Sequence, residues 1–248
     1  MKKAFLLGAM VCALGVMTAC KSGTTNSDPI DTIFKTNVDT LWADDHGYWE
    51  IKEPFEENGR TVLYRSCSFE GQIDGSVDEI ELSYYLLRRG TEAYDSILSM
   101  MQSITAKDYT EGFEEGTGVV FSSIHMGDVP RHWYSVCKYK GEYYLYQDGG
   151  CGLYLSDGAI VPVCGDFYPY QLKRVVQMAD GGYQFQYETG DSVETAEMKP
   201  VNKARGLYLY SDTNFVHLFT VDSHLCNYDI IMVDGSTLMG IDGIEFDE

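Results

Sequence analysis

The chain has 248 residues, of which 44% are hydrophobic and 13% aromatic, a composition that excludes a disordered protein. Lysine and arginine number 18 against 38 aspartate and glutamate residues, so the formal net charge is −20. A surface this acidic repels phosphate backbones and anionic lipid headgroups, because like charges meet at the contact. We therefore predict no nucleic-acid partner, and any attachment to a membrane must come from something other than surface charge.

The N-terminus has the pattern of an export signal. "MKKAFLLGAMVCALGVMTAC" begins with two lysines near its start, continues with an apolar run over residues 4–17 and ends in small residues before Cys20. The apolar run is shorter than the roughly 20 residues that a membrane-spanning helix needs. Met17-Thr18-Ala19-Cys20 resembles the lipobox of bacterial lipoproteins, with methionine where leucine is most usual. An ordinary secretory signal with an incidental cysteine and an N-terminal anchor helix are the alternatives.

The resemblance to bacterial lipoproteins implies where the chain is cut and fastened. In that family a peptidase cleaves before the cysteine, which is then acylated, so residues 1–19 are the expected signal peptide and Cys20 the expected lipidation site. Residues 21–29 are small and polar, and we expect a flexible tether over residues 20–36 and one globular domain over residues 37–248. Anchoring through two or three acyl chains places the protein at a membrane of the cell envelope. Lys21, and not aspartate, follows the cysteine, which favours the outer membrane of a Gram-negative bacterium, on its periplasmic or surface face.

Five cysteines remain in the expected domain: Cys67, Cys137, Cys151, Cys164 and Cys226. An exported location permits disulfides, and an odd number leaves at least one thiol outside them. Cys151 and Cys164 flank "GLYLSDGAIVPV", which predicts two strands around the turn Asp157-Gly158. The hairpin would bring these two cysteines together, so they form the predicted disulfide. Five buried, reduced cysteines are the alternative.

The first third of the domain predicts strands followed by one helix. "YWEIKEPF" and "RTVLYRSCSFEG" alternate between apolar and polar residues, as half-buried strands do. Over residues 91–104, Tyr94, Ile97, Leu98 and Met101 share one face at i, i+3, i+4 and i+7 spacing, which predicts an amphipathic helix. The preceding "DEIELSYYLL" favours a strand, with a second helix as the alternative.

After residue 116 the chain predicts strands almost to its end, beginning with "GVVFSSIHM". Turn signals separate the apolar and aromatic runs at Lys140-Gly141, Asp157-Gly158, Asp180-Gly181-Gly182, Asp212-Thr213-Asn214 and Asp234-Gly235. This spacing predicts a mainly β (β-rich α+β) protein, an antiparallel barrel or sandwich with one or two helices near residues 91–104. Gly47-Tyr48-Trp49 resembles the Gly-x-Trp of lipocalins, which raises the barrel above the sandwich.

A cysteine nucleophile is the sharpest catalytic candidate in the sequence. Cys151 has Gln147 upstream and His217 or His224 downstream, and cysteine peptidases need a thiolate, an activating histidine and often a glutamine donor. In papain-like enzymes the cysteine opens a helix, whereas Cys151 opens a strand-turn-strand stretch. Carboxylate pairs carry no signal in so acidic a chain. We therefore predict no catalytic residue.

A repeated histidine spacing is the only metal candidate. His125 and His132 precede Cys137, and the same seven-residue step joins His217 to His224 before another cysteine. The spacing fits no short zinc motif, and residues i and i+7 of a strand point to opposite faces. We therefore predict structural histidines, no metal site and no cofactor.

Tyrosines are concentrated in the β-rich half and suggest a binding surface. The candidate ligand-binding residues are Tyr143, Tyr144, Tyr146, Tyr154, Tyr208 and Tyr210. Aromatic faces with polar rims bind sugars, apolar ligands or proteins, whereas the alternative is that tyrosine simply suits half-buried strands. The sequence favours a lipid-anchored envelope protein with a non-catalytic binding or structural role, its partner an unknown small molecule, glycan or envelope protein. The alternative is a cell-surface hydrolase acting on peptide or glycan, using Cys151 or a carboxylate pair.

Overall fold

The computed structural model describes residues 38–43, 46–71, 77–148, 152–164, 166–213, 215–235, 244 and 246–247. Contacts between backbones group Asn37–Glu248 into one compact unit. The predicted signal peptide, lipobox and tether lie outside the described residues. In the described part of the chain, no helix is both long enough and apolar enough to cross a membrane.

Strands dominate the domain. Their bounds are β1 Val38–Ala43, β2 His46–Ile51, β3 Phe55–Glu57, β4 Arg60–Gly71, β5 Val77–Leu87, β6 His132–Tyr139, β7 Glu142–Gln147, β8 Gly152–Leu155, β9 Ala159–Cys164, β10 Asp166–Phe167, β11 Tyr170–Gln177, β12 Tyr183–Thr189, β13 Ser192–Asn202, β14 Leu207–Ser211, β15 Val216–Val221 and β16 Ile230–Gly235. The helices are α1 Glu92–Ser103, α2 Ala106–Thr117 and a 3₁₀ helix Asp222–Asn227.

Eight of these strands close into an antiparallel barrel. The order around the ring is β6, β15, β14, β13, β12, β11, β9 and β8, and β8 pairs back onto β6. Closure satisfies the backbone donors and acceptors that an open sheet would leave at its edges. The prediction of an antiparallel β fold is therefore confirmed, and the barrel is the correct choice between barrel and sandwich.

Apolar side chains fill the middle of the barrel. Its buried residues include Trp133, Leu153, Leu155, Ile160, Leu172, Phe185, Ala196, Met198 and Phe219. An eight-stranded barrel is just wide enough for such side chains to meet across its axis. The middle is therefore a packed core, and the two ends of the barrel are the places where its interior can present polar groups to a ligand.

Strand β6 also belongs to a second sheet. Residues 132–134 pair with β8 in the barrel wall, whereas residues 136–139 pair with β7. From β7 the sheet continues through the parallel neighbour β16 to β5, β4, β2 and β1, with β3 on β4. We call β1–β5, β7 and β16 the extension sheet. Gly47-Tyr48-Trp49 lies in β2, and so in the extension sheet and not in the barrel wall.

Helix α1 covers one face of the extension sheet. Thr91 caps its N-terminus by accepting a 3.2 Å hydrogen bond from the Tyr94 backbone N–H. Tyr94 and Met101 are buried, and Ile97 and Leu98 pack against the same cluster. The amphipathic helix predicted over residues 91–104 is confirmed, and so is the strand predicted just before it, which is β5.

Helix α2 was not predicted and lies against the outer wall of the barrel. The backbone N–H of Thr105 donates a 2.7 Å hydrogen bond to the Asp108 carboxylate, so this backbone donor at the N-terminal end of the helix has a partner. Ala106 packs with Tyr154 and Val161 of the wall. The helix shields apolar side chains on the outer face of the barrel wall from solvent. The strands beneath it can therefore be apolar on both faces and need not alternate between apolar and polar residues.

The strand predicted at "GVVFSSIHM" is wrong. Residues 118–131 contain no helix or strand. Met126 and Val129 are instead buried at one end of the barrel, beside Trp133. This stretch is apolar because it fills the end of the barrel, and a filling loop has the same composition as a strand. Strand β13 was missed, and Pro200, which has no N–H to donate, lies where its register shifts.

Candidate functional site

The six candidate tyrosines do not form a single face. Tyr208 and Tyr210 contribute to the barrel interior, Tyr143 packs beside α1, Tyr144 and Tyr146 lie on the opposite face of the extension sheet, and Tyr154 lies under α2. Each is also a packing residue, as the alternative interpretation expects. Which of them contacts a ligand stays a prediction. Tyr208 and Tyr210 belong to the barrel interior, which can present groups to a ligand at the two ends of the barrel.

One end of the barrel is filled by apolar side chains. Met126 and Val129, from the segment before β6, are buried against Trp133. The Trp133 ring is edge-on to Tyr208 at 5.0 Å, and its Nε1–H donates a 3.1 Å hydrogen bond to the Pro130 carbonyl. This arrangement ties the segment before β6 to the barrel.

The other end holds a carboxylate. Asp212 follows β14 at the turn into β15, and its Oδ2 accepts hydrogen bonds from the Tyr210 hydroxyl at 2.8 Å and the Tyr187 hydroxyl at 3.3 Å. Its Oδ1 accepts a 2.8 Å bond from the Phe215 backbone N–H, which closes the turn. Two tyrosines from neighbouring regions of the wall therefore converge on one acidic side chain at the mouth of the barrel.

The two tyrosines stay protonated donors at neutral pH. Burial raises the pKa of Tyr187 to about 12, and the negative charge of Asp212 acts in the same direction. Burial also raises the pKa of Tyr210, whose side chain is 1% exposed, far above its usual range. Both hydroxyls thus hold the carboxylate in place rather than titrating with it.

A histidine and a serine extend the polar groups into the barrel. His217 pairs across the β14–β15 ladder with Tyr210, and its Nε2 lies 2.5 Å from the Ser135 hydroxyl. Burial lowers the pKa of His217 to about 4, so the imidazole is neutral at pH 7. Ser135 is 0% exposed, so its hydroxyl is a packed polar contact and not a nucleophile that a substrate can reach.

Aromatic rings surround this mouth. Tyr170 lies 5.5 Å from Tyr187, and Phe215 stacks on His217 at 5.3 Å, both distances between ring centroids. Tyr170 and Phe215 are half-buried, so each ring offers part of its surface to solvent. We call these residues the Asp212 mouth: Tyr170, Tyr187, Tyr210, Asp212, Phe215 and His217.

A second carboxylate lies beside the Asp212 mouth. Glu194 Oε2 accepts a 2.7 Å hydrogen bond from Thr213, and Oε1 accepts one of 3.1 Å from Thr189. The charges of Glu194 and Asp212 both act to raise the pKa of Tyr170, after burial, which is the main cause. The mouth therefore combines half-buried ring faces with hydrogen-bonded carboxylates, the arrangement by which proteins orient a ligand that has both apolar and hydroxyl surfaces.

The described cysteines lie away from this mouth or have no side-chain description. Cys137, in the part of β6 that pairs with β7, is buried, and burial raises the pKa of its thiol to about 12, so it is inert at neutral pH. Cys226 is exposed at the 3₁₀ helix. Cys151 lies outside the described residues, and so does the Cys164 side chain. The predicted disulfide therefore stays a prediction, although the β8–β9 hairpin that supports it is present, with Gly152 opposite Val163.

The repeated histidine spacing does not bring its members together. His132 points outward from the barrel wall and stacks on Tyr134 at 3.6 Å, whereas His217, on the neighbouring strand, points inward. Within the described residues, no group of three or more histidine, cysteine, aspartate or glutamate side chains is arranged to hold a metal ion. The stacked and hydrogen-bonded contacts give each of these two histidines a packing role.

Sequence patterns named only part of the Asp212 mouth. Tyr210 was a candidate, and Asp212 was recognised as a turn residue but not as an acceptor for two tyrosines. His217 was considered with Cys151, not with Ser135. One pattern could have identified this site: a polar residue, such as His217, at an inward-facing position of a strand. Once the alternation of that strand is known, such a residue marks an end of the barrel. No protein-family model, curated protein or solved structure matches this chain.

Proposed function

We propose that this chain is a lipid-anchored protein of the cell envelope. The proposal rests on the first 36 residues, in which a basic start, a short apolar run and Met17-Thr18-Ala19-Cys20 agree with the lipoprotein pattern. The net charge of −20 makes attachment to an anionic membrane through the protein surface unfavourable. A covalent lipid at Cys20 supplies an attachment that is independent of that charge.

Replacing Cys20 by alanine should release the protein from the membrane. We expect the wild-type chain from the membrane fraction to have the mass of a polypeptide beginning at Cys20 plus two or three acyl chains. The Cys20→Ala variant should lack the acyl mass and move to the soluble fraction or remain uncleaved. Intact mass spectrometry of both chains decides this, with Cys12→Ala as the matched control because that residue lies inside the expected signal. An unacylated wild-type chain would contradict the proposal.

The anchored domain binds its ligand at the Asp212 mouth, without chemical change to the ligand. The observation that carries this is the convergence of the Tyr187 and Tyr210 hydroxyls on the Asp212 carboxylate at one end of the barrel. Two half-buried rings, Tyr170 and Phe215, lie beside these groups. Mouths of β-barrels are common ligand sites, since the wall holds the polar groups in fixed positions.

The chemistry of the mouth favours a neutral glycan. Half-buried rings at Tyr170 and Phe215 can cover the C–H faces of a sugar, and carboxylates at Asp212 and Glu194 can accept from its hydroxyls. The same carboxylates, in a chain of net charge −20, repel phosphate and sulfate groups. Anionic ligands are therefore disfavoured, and polyhydroxylated neutral ones fit.

Removing the Phe215 ring should weaken glycan binding. We expect at least one of three probes (cellohexaose, maltohexaose or chitohexaose) to bind the wild-type domain in isothermal titration calorimetry, and Phe215→Ala to lower that affinity at least about 10-fold, because a half-buried stacking surface is lost. Val216→Ala is the matched control, since Val216 is the next residue along the chain and is 65% exposed. The probe should be recovered intact.

Two results would contradict this part of the proposal. Equal affinity of Phe215→Ala and Val216→Ala would place the ligand elsewhere on the molecule. Cleavage of the bound hexaose during incubation would show a hydrolase and not a binding protein. Neither result depends on how the chain is anchored, so the two parts of the proposal are tested separately.

A further inference from the structure

A segment of the chain itself, with Ile244, Phe246 and Asp247, occupies an aromatic slot on the extension sheet. The Phe246 ring lies edge-on to Tyr146 at 5.2 Å and to Tyr84 at 6.5 Å between centroids. Ile244 packs against the same cluster, on the face of the sheet opposite α1. Phe246 is only half-buried, so it lies at the surface of this cluster and not within it.

The residue after the phenylalanine makes directed polar contacts with the β6–β7 hairpin. The Asp247 backbone N–H donates a 2.8 Å hydrogen bond to the Lys138 carbonyl, and Asp247 Oδ2 accepts one of 2.6 Å from the Gly141 backbone N–H. Lys140 and Gly141 both have positive φ, 51° and 83°, as the two central residues of a tight hairpin turn do. This turn conformation leaves the Gly141 N–H outside the strand ladder and able to bind a carboxylate.

Two lysines lie at or beside this slot. Lys138 Nζ lies 3.9 Å from the Asp247 carboxylate, and Lys140 lies over the Tyr139 ring at 5.0 Å. The whole chain has 18 basic residues against 38 acidic ones. Lys138 therefore places a positive charge beside the aspartate, whereas Asp148, which accepts a 3.2 Å hydrogen bond from the Tyr146 hydroxyl, lies on the side of the ring.

We propose that this slot is a peptide-binding site for segments in which an aromatic residue is followed by aspartate, and that Phe246 and Asp247 of the chain itself are its built-in competitor. We call it the Phe246 slot, formed by Tyr84, Tyr146, Lys138 and Gly141. The aromatic ring is recognised by the two tyrosines. The aspartate is recognised by the hairpin through one backbone donor, one backbone acceptor and a lysine. An external segment of the same chemistry binds by displacing Phe246 and Asp247.

Occupancy of the slot by Phe246 and Asp247 should lower the apparent affinity of the chain for an external peptide, and this affinity can be measured. A segment tethered to the same chain acts at an effective concentration on the order of millimolar, so it masks the slot from weaker external peptides. Removing the Phe246 ring should therefore expose the slot. The probe is a fluorescein-labelled peptide Gly-Ile-Glu-Phe-Asp-Glu, which has the sequence of residues 243–248, and the readout is fluorescence anisotropy with the full-length chain.

We expect Phe246→Ala to bind this peptide saturably and at least about 10-fold more tightly than the wild-type chain. A peptide with alanine in place of phenylalanine should not bind. The Tyr168→Ala variant should gain no affinity over wild type, because this exposed ring packs with Phe113 and Tyr170 and not with the rings of the slot. Asp247→Ala, which keeps the ring, is the second variant and should give a smaller gain. It carries the test if Phe246→Ala loses cooperative unfolding.

Absence of binding would overturn the inference. If a cooperatively folded Phe246→Ala or Asp247→Ala chain binds the peptide no better than the wild-type chain at millimolar peptide, the segment with Phe246 and Asp247 is only a packing element. Equal binding of the alanine peptide would also overturn it, since recognition would not involve the ring. Glycan titration of the same variants should be unchanged, which separates this slot from the Asp212 mouth.

Discussion

Replacing Trp133 by alanine should lower the free energy of unfolding by about 4 kcal/mol. Trp133 is 0% exposed and packs edge-on to Tyr208 at 5.0 Å and Tyr183 at 5.6 Å. Its indole N–H also binds the Pro130 carbonyl. The substitution removes the largest side chain of the barrel interior, leaves a cavity and releases the segment that fills this end. Since a domain's total stability is about 5–15 kcal/mol, much of it would be lost.

Urea unfolding followed by far-UV circular dichroism measures this effect. Trp133→Phe keeps a ring but loses the donor, so we expect a smaller loss of about 1–2 kcal/mol. Val120→Ala is the surface control, because Val120 is 79% exposed, and it should change stability by less than about 0.5 kcal/mol. A loss in Trp133→Ala no greater than in Val120→Ala would show that the barrel end is not packed as described.

Local patterns predicted the hairpins because each hairpin is set by a few neighbouring residues. The turns at Lys140-Gly141 and Asp157-Gly158 connect β6 to β7 and β8 to β9 as expected. Gly141 permits the positive φ that such a turn requires. Helix α1 was equally visible, since its buried positions Tyr94 and Met101 are fixed by helical spacing alone.

Closure of the barrel is a long-range property that no local pattern contains. It depends on β8 returning to β6, residues 152–154 against residues 132–134, and on β15 flanking the other edge of the same strand. Alternation shows which residues face inward, but it does not show which strands become neighbours. The barrel and the sandwich were therefore equally compatible with the turns, and the chain resolves the choice through β6, which serves both the barrel and the extension sheet.

Helix α2 and the segment after it show how tertiary packing overrides local signals. The helix contains Gly112 and Gly116, which weaken it in isolation, and only Ala106 and Thr110 of its side chains are buried. The helix is stabilised by packing against Tyr154 and its neighbours, which belong to strands that are distant from it in the sequence.

The Asp212 mouth also depends on tertiary packing. Its residues are separated by up to 47 positions, between Tyr170 and His217, and only the ring of strands brings them together.

Acidification from pH 7 to pH 5 should destabilise the domain through two buried histidines. Burial lowers the pKa of His132 to about 4, opposed in part by the charge of Asp222, and burial lowers that of His217 to about 4 as well. An unfolded histidine has a pKa of about 6.5. Between these values the unfolded chain takes up protons and the folded chain does not, so stability is complete above about pH 6.5 and falls as the pH approaches 4. Each histidine should contribute a loss of about 2 kcal/mol at pH 5.

Non-titrating replacements separate this effect from the rest of an acidic protein. Lower pH also relieves repulsion among the 38 acidic residues, so the informative quantity is the difference between wild type and variants. His132→Phe keeps the stacking on Tyr134, and His217→Gln keeps a partner for the Ser135 hydroxyl. Each variant should lose about 2 kcal/mol less than wild type between pH 7 and pH 5, measured by urea unfolding at both pH values. If either variant shows the wild-type pH dependence, that imidazole is not held neutral by burial.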